Sequence, residues 1–251
     1  MNHENPKRVV VIGAGIVGAS LAYHLASKGV KVTVVEAGGI ASGVTGTSFA
    51  WINASCAGID PIAALRGGAI AAWRRLETQV PGLTVCWHGA LSYGTQDGRV
   101  SASSMVIDRA RIIQLEPQLR QPPEQALHEP EQGALDAVVA THALLAAARA
   151  LGASVRKYTP VPGFVVQDEK VTGVETATGV IEADTVVLAA GTGTAALAQK
   201  LGAGLPIHAS PRHLPALHGA VGPRARHHLQ PCHGSAASRE WRHAGGGRLC
   251  G

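Results

Sequence analysis

The chain has 251 residues, 46% hydrophobic and 16% charged, with 31 Gly, which suits one sizeable core or two small domains and fits an α/β protein with many tight turns better than a disordered chain. No apolar run reaches the ~18 residues of a membrane span, and the first one, Val9 to Ile12, runs into glycines, which reads as a strand and not a signal peptide and points to the cytoplasm. The net charge of +5 is local: residues 212–251 hold six Arg and one acid, Glu240, whereas residues 1–211 balance 16 Lys+Arg against 16 Asp+Glu. Cys56, Cys86, Cys232 and Cys250 form no CxxC pair and no ligand-like spacing with His, so they read as reduced thiols and no metal is expected.

The first element is the apolar strand that ends at Ile12, followed at once by Gly13-Ala14-Gly15-Ile16-Val17-Gly18, a G-x-G-x-x-G. A helical pattern in which Val17, Leu21 and Leu25 recur every four residues, with small Ala22 and Ala26 beside them, runs to a stop at Gly29, and a second strand from Lys31 to Val35 ends at Glu36. Each part has a physical role in a dinucleotide-binding βαβ unit. Gly13 permits the tight turn, Gly15 lets a pyrophosphate approach the backbone, and Gly18 lets the helix pack closely on the strands. The helix start offers free N–H groups, at Ile16 and Val17 among others, to phosphate. Glu36, 18 residues past Gly18, can accept from ribose hydroxyls and would repel the 2′-phosphate of NADP. This unit alone does not choose between FAD and NAD.

Residues 41–53, rich in Gly, Ser and Thr, form a loop. Its hydroxyls suit a second stretch of phosphate and a flavin rim, and a plain surface loop is the other reading. A helix follows over 64–80, with Ala69, Ala72, Trp73 and Leu76 as its apolar face and Arg74, Arg75 and Glu77 outside. Residues 85–95 read as the strand that opens a second, smaller sheet domain. His88 within it has no visible partner and is read as structural. Gln114 to Gly133 reads as an irregular crossing, Thr141 to Leu151 as a helix ended by Gly152, and Val171 to Ile181 as a hairpin. Asp184 to Gly191 is a buried strand ending in small residues, with or without a ligand against them.

In combination, VVVIGAGIVGASLAYHLASKGVKVTVVEAG, ASGVTGTSFAWINAS, WHGALSYG, LEPQL and GVIEADTVVLAAGTGTAAL resemble the D-amino-acid oxidase/glycine oxidase-like family of FAD-dependent oxidoreductases over residues 7–210. The resemblance implies an α/β fold: a Rossmann-like FAD-binding domain with a second, smaller, incomplete α+β substrate domain. It implies FAD-binding segments at 1–84 and 141–211, with a partial substrate domain at 85–140. It extends the FAD contacts of Gly13, Gly15, Ile16, Val17, Gly18 and Glu36 to Ala37, to Ser42, Thr45, Thr47 and Ser48 in the loop, to the backbone of Val161 at the adenine, and to Ala190 and Gly191. The implied reaction oxidises the C–N bond of an amine or D-amino acid, with hydride passing to flavin N5 and the imine then hydrolysing. The expected partner is a small amine or amino-acid substrate. No catalytic residue is assigned, because Arg66, Arg109 and Arg111 are available but no motif selects one.

After Pro211 the composition changes. Residues 212–251 hold six of the 12 His, no Lys, no Ile, Phe, Tyr or Asp, and one Val. No period of 2 or 3.6 survives, and the family's continuing strands are not matched. The segment is read as an aberrant, disordered basic tail from a shift of reading frame in GC-rich DNA. The alternatives are a catalytically inactive FAD-fold remnant and a nucleic-acid-binding tail, of which the second is disfavoured.

Overall fold

The computed structural model describes residues 7–53, 65, 68–94 and 104–207, and the backbone of 227–228. In chain order the strands are β1 Arg8–Ile12, β2 Lys31–Val35, β3 Trp51–Ile52, β4 Ala90–Ser92, β5 Met105–Asp108, β6 Gln125–Glu129, β7 Gly133–Ala134, β8 Ser154–Arg156, β9 Phe164–Gln167, β10 Lys170–Thr176, β11 Gly179–Glu182, β12 Thr185–Leu188 and β13 His227–His228. The helices, named here in the same order, are α1 Ile16–Ala26, α2 Ala69–Gln79, α3 Arg109–Leu115, α4 Ala137–Ala150 and α5 Thr194–Gln199. Among the described residues no helix is long and apolar enough to cross a membrane.

Two compact units divide the described residues. The first takes residues up to 48, residues 80–83, and residues 137–207; the second takes 49–79 and 84–136. These limits differ from the sequence-based ones at 84/85 and 140/141. β3 and α2 sort with the second unit because their contacts run forward in the chain. β3 pairs antiparallel with β7, and the Glu77 carboxylate of α2 accepts from the Val85 amide and from Trp87 Nε1, each at 2.7 Å. Glu77 was expected outside; it is half-buried because it satisfies two donors.

The first unit is built on a parallel sheet in the order β12-β1-β2-β8. Its central strands β1 and β2 are covered on both faces: Val10, Val11, Val34 and Val35 are fully buried, whereas β12, expected as a buried strand, lies at the sheet edge and is only half-buried. Val10, Ile12 and Val35 form a core with Val174 of the antiparallel sheet β11-β10-β9 and with Ala183, which lies between β11 and β12. On α1 the buried face is Gly18, Ala19, Ala22, Tyr23 and Ala26, so of the residues in the expected pattern the small Ala22 and Ala26 are buried more fully than Val17, Leu21 and Leu25. Small residues let α1 approach the sheet and α4 closely, which leaves Val17 62% exposed at the head of the helix.

The second unit holds a sheet in the order β13-β4-β6-β5, with Leu91, Ile112 and Ala126 at its core. β6 lies within the stretch expected to be irregular and instead pairs with both β4 and β5; the two prolines before it end where the ladder begins. The backbone of 227–228 runs parallel to Ala90–Leu91, which corrects, at these two residues, the expectation that the tail contributes no strand. Pairing at a sheet edge needs only backbone N–H and C=O groups, not an apolar side-chain pattern. Cys86 is disulfide-bonded, which corrects its reading as a thiol. Its proximity to another cysteine is set by the fold and not by spacing in sequence.

Candidate cofactor-binding site

The site lies at the carboxyl ends of β1, β2 and β12, where open α/β sheets place their ligands. Gly13 has φ +112° and donates its N–H to Val35 O at 2.8 Å, while the Ala189 N–H donates to Ile12 O at 2.8 Å. A Cβ on Gly13 would lie 2.3 Å from Ala189 O, and one on Gly18 would lie 1.9 Å from Gly13 O. Both contacts are with backbone, so only glycine lets the strand, the turn and α1 come this close. Gly15, the N-cap of α1, has no capping side chain. A Cβ there would meet only the Thr45 hydroxyl, at 3.0 Å.

That hydroxyl accepts from the Ile16 N–H at 3.1 Å, so a residue of the distant loop caps the helix. The amides of Gly15, Val17 and Gly18 find no acceptor among the described residues and, with the positive end of the helix dipole, suit an anion. Glu36 closes the other side. Its Oε2 accepts from the Ala14 N–H at 2.7 Å and its Oε1 from the Gly38 N–H at 2.8 Å. A carboxylate oxygen has two lone pairs, so one on each remains for a vicinal diol such as a ribose. The glycine cradle, the free amides and the remaining lone pairs together fit the pyrophosphate and ribose of a dinucleotide.

The structure brings Gly13, Gly15, Ile16, Gly18, Glu36, Thr45 and Ala190 together. Ala190 follows β12, with its amide nitrogen 3.0 Å from the Cβ position of Gly13, and Gly191 turns the chain at φ +57°. Ser42 lies beside Gly38, with Oγ 3.1 Å from the Cβ position there. Thr47 donates to Val44 O at 3.2 Å within the Val44–Thr47 3-10 turn, and the Ser48 N–H donates to Thr45 O at 3.3 Å. Ala37 and Val17 are exposed at the rim. Val161 packs against the Val10–Ile12 core, and its amide and carbonyl bond to nothing among the described residues.

Of the arginines considered, Arg109 pairs with Glu124 at 2.7 Å and Arg111 donates to Gln114 at 3.0 Å, both on the surface; Arg66 lies outside the described residues. His88 is exposed. Sequence reasoning missed the segment after β8, where the Tyr158 N–H donates to Gly38 O at 3.1 Å and the Thr159 N–H to Glu36 O at 2.7 Å. The available signal was the short run Ser154–Arg156: as the parallel neighbour of β2, it must end beside Glu36.

Comparison with known proteins decides the ligand class. The family of FAD dependent oxidoreductases termed DAO matches residues 8–239. The chain belongs to the DAO family. The match passes the composition change at Pro211. The 4-methylaminobutanoate oxidase (formaldehyde-forming) of Paenarthrobacter nicotinovorans is 31% identical over 223 residues, covering 81% of this chain and 26% of that protein. Monomeric sarcosine oxidase of Bacillus sp. (strain NS-129) is 29% identical over 220 residues, covering 79% of this chain and 55% of that protein. Among solved structures, L-proline dehydrogenase from P. horikoshii superposes with a TM-score of 0.70 at 26% identity, covering 78% of this chain and 56% of that one. Glycine oxidase from Bacillus cereus ATCC 14579 superposes with a TM-score of 0.69 at 24% identity, covering 77% and 57%. The chain thus spans between about a quarter and about half the length of these relatives. The cofactor of the DAO family is FAD.

Proposed function

We propose that this DAO-family chain binds FAD through the Gly13–Glu36 cradle and belongs to an oxidoreductase that oxidises the C–N bond of a small amine or amino acid. The observation that carries the reading is the paired use of Glu36 and the α1 amides at one sheet end, in a chain matched by the family over residues 8–239. Gly15, Val17 and Gly18 donate to the pyrophosphate, with Thr45, Thr47, Ser42 and Ser48 as hydroxyl partners at its edge. Glu36 holds the ribose diol, with Ala37 beside it. The Val161 backbone meets the adenine edge, and Ala190–Gly191 admit the dinucleotide because they have no bulk. The redox chemistry is supplied by the flavin when it is bound. The chain's part is to bind, orient and exclude water.

The test is to reconstitute the purified chain with FAD and follow flavin absorbance without oxygen. Sarcosine, dimethylglycine, 4-methylaminobutanoate, glycine, proline and D-amino acids would be added in turn. Bleaching by one of them supports the reading. FAD binding without bleaching favours the second reading, an FAD fold without turnover, which the composition change after Pro211 recommends. Absence of FAD binding overturns the first reading and leaves only the inactive remnant.

A further inference from the structure

Among the described residues of the first unit, four non-glycine residues have positive φ: Ala41, Tyr158, Asp168 and Glu169. The last two are the two-residue turn between β9 and β10, where left-handed backbone is the rule. The other two flank the Glu36 corner. Ala41 donates its N–H to Ala14 O at 3.1 Å and carries only a methyl group. Tyr158 is different: an aromatic residue at φ 52° is a backbone outlier, and strain of this kind persists only where the surroundings hold it. They do so here through the Tyr158 N–H on Gly38 O and the Thr159 N–H on Glu36 O.

That strain secures no core packing, for Tyr158 is 73% exposed. Its hydroxyl lies 4.0 Å from the Cβ position of Gly39, on the loop just past Glu36, and the Lys157 ammonium sits 5.9 Å from its ring centroid. The sheet order β1-β2-β8 puts this ring one strand outward from the ribose carboxylate. A base attached to a ribose on Glu36 extends in that direction, because the pyrophosphate lies on the other side, at α1.

We infer that Tyr158 is a specificity-determining residue, the aromatic wall on which the adenine of the cofactor stacks. The inference rests on the FAD-binding reading above. A strained, exposed ring beside the ribose anchor is the geometry expected of a stacking platform, and base–aromatic stacking is lost on truncation with an effect on the order of tenfold or more in affinity.

The test compares the full chain with Tyr158→Asn and Tyr158→Phe, by quenching of flavin fluorescence on FAD binding and by displacement of FAD with ADP. Asn accepts left-handed backbone, so Y158N removes the ring without adding strain, and thermal unfolding of the variant checks that it folds. About a tenfold loss of affinity is expected for FAD in Y158N, an equal loss for ADP, and retention of both in Y158F. Unchanged FAD affinity in Y158N, or a loss for FAD that ADP does not share, overturns the inference while the FAD reading stands. If the wild-type chain binds neither ligand, that reading falls as well.

Discussion

The two ends of the parallel sheet each hold a carboxylate that bridges chain segments, yet by different chemistry. At the amino ends of β1 and β12, Arg8 pairs with Asp184 at 2.9 Å and with Glu182, and the Arg8 N–H donates to Asp184 at 2.8 Å. The guanidinium and the Arg8 amide hold the Asp184 carboxyl below the usual range. At the carboxyl end Glu36 meets only neutral backbone amides. The first end is one guanidinium shared by two carboxylates and open to water, and it ties β1 to the segment that leads into β12. The second leaves lone pairs and amides in reserve beside a helix terminus. The two ends thus differ in what their polar groups still lack.

The comparison breaks most severely at the glycines. Gly18→Ala would place a methyl group 1.9 Å from Gly13 O, a backbone atom that cannot swing away. The expected loss is on the order of 3 kcal/mol in chemical denaturation, together with FAD binding. Glu36→Ala would leave the Ala14 and Gly38 amides without their acceptor, at about 1–3 kcal/mol each if no water replaces it. The same variant should weaken FAD at least about tenfold, since the ribose contact goes too. An unaltered FAD titration for Glu36→Ala would remove the carboxyl end's claim to be the binding end.

Thr45→Val removes the hydroxyl that caps Ile16. A loss of about 1 kcal/mol is expected from a missing cap, with a smaller change in FAD affinity than at Glu36, because cofactor phosphate can take over the freed amide. The smallest effect is at the amino end. Asp184→Asn should leave FAD binding unchanged and lower stability slightly, less so in high salt. The folded-state pKa of Asp184 is depressed, so its contribution is present above the unfolded aspartate value of about 3.9 and is lost as pH falls through the lower folded value. The difference in unfolding free energy between wild type and variant should therefore shrink only in that acid window. A difference that instead disappears near neutral pH would mean that Asp184 acts through another group.

The opening unit was legible because each of its residues acts locally: Val9–Ile12 make a covered strand, Gly13 and Gly18 allow close approach, and Glu36 stands at a strand end. The hairpin of β10 and β11 was legible for the same reason, whereas the pairing of β12 with β1 joins residues far apart in the chain. Other features were not. The α1 pattern named Ala22 and Ala26 beside Val17 and the leucines, but which of them is most deeply buried was not legible, because the approach of sheet and α4 selects the small side chains of Ala19, Ala22 and Ala26. Glu77 was placed outside because its two donors, Val85 and Trp87, come from beyond the helix.

By itself, then, the sequence determined the βαβ unit, its glycine turn and its acid, since these depend on spacing within some 30 residues, and it carried the family resemblance in motifs spread over residues 7–210. The tertiary structure alone decided that β3 and α2 join the second unit, that β6 lies inside its sheet, that Cys86 is disulfide-bonded, that the Thr45 hydroxyl caps α1, and that Tyr158 bonds to Gly38 beside Glu36. Each of these depends on contacts between residues distant in the chain, and no local pattern records which distant backbone or side chain will supply the partner.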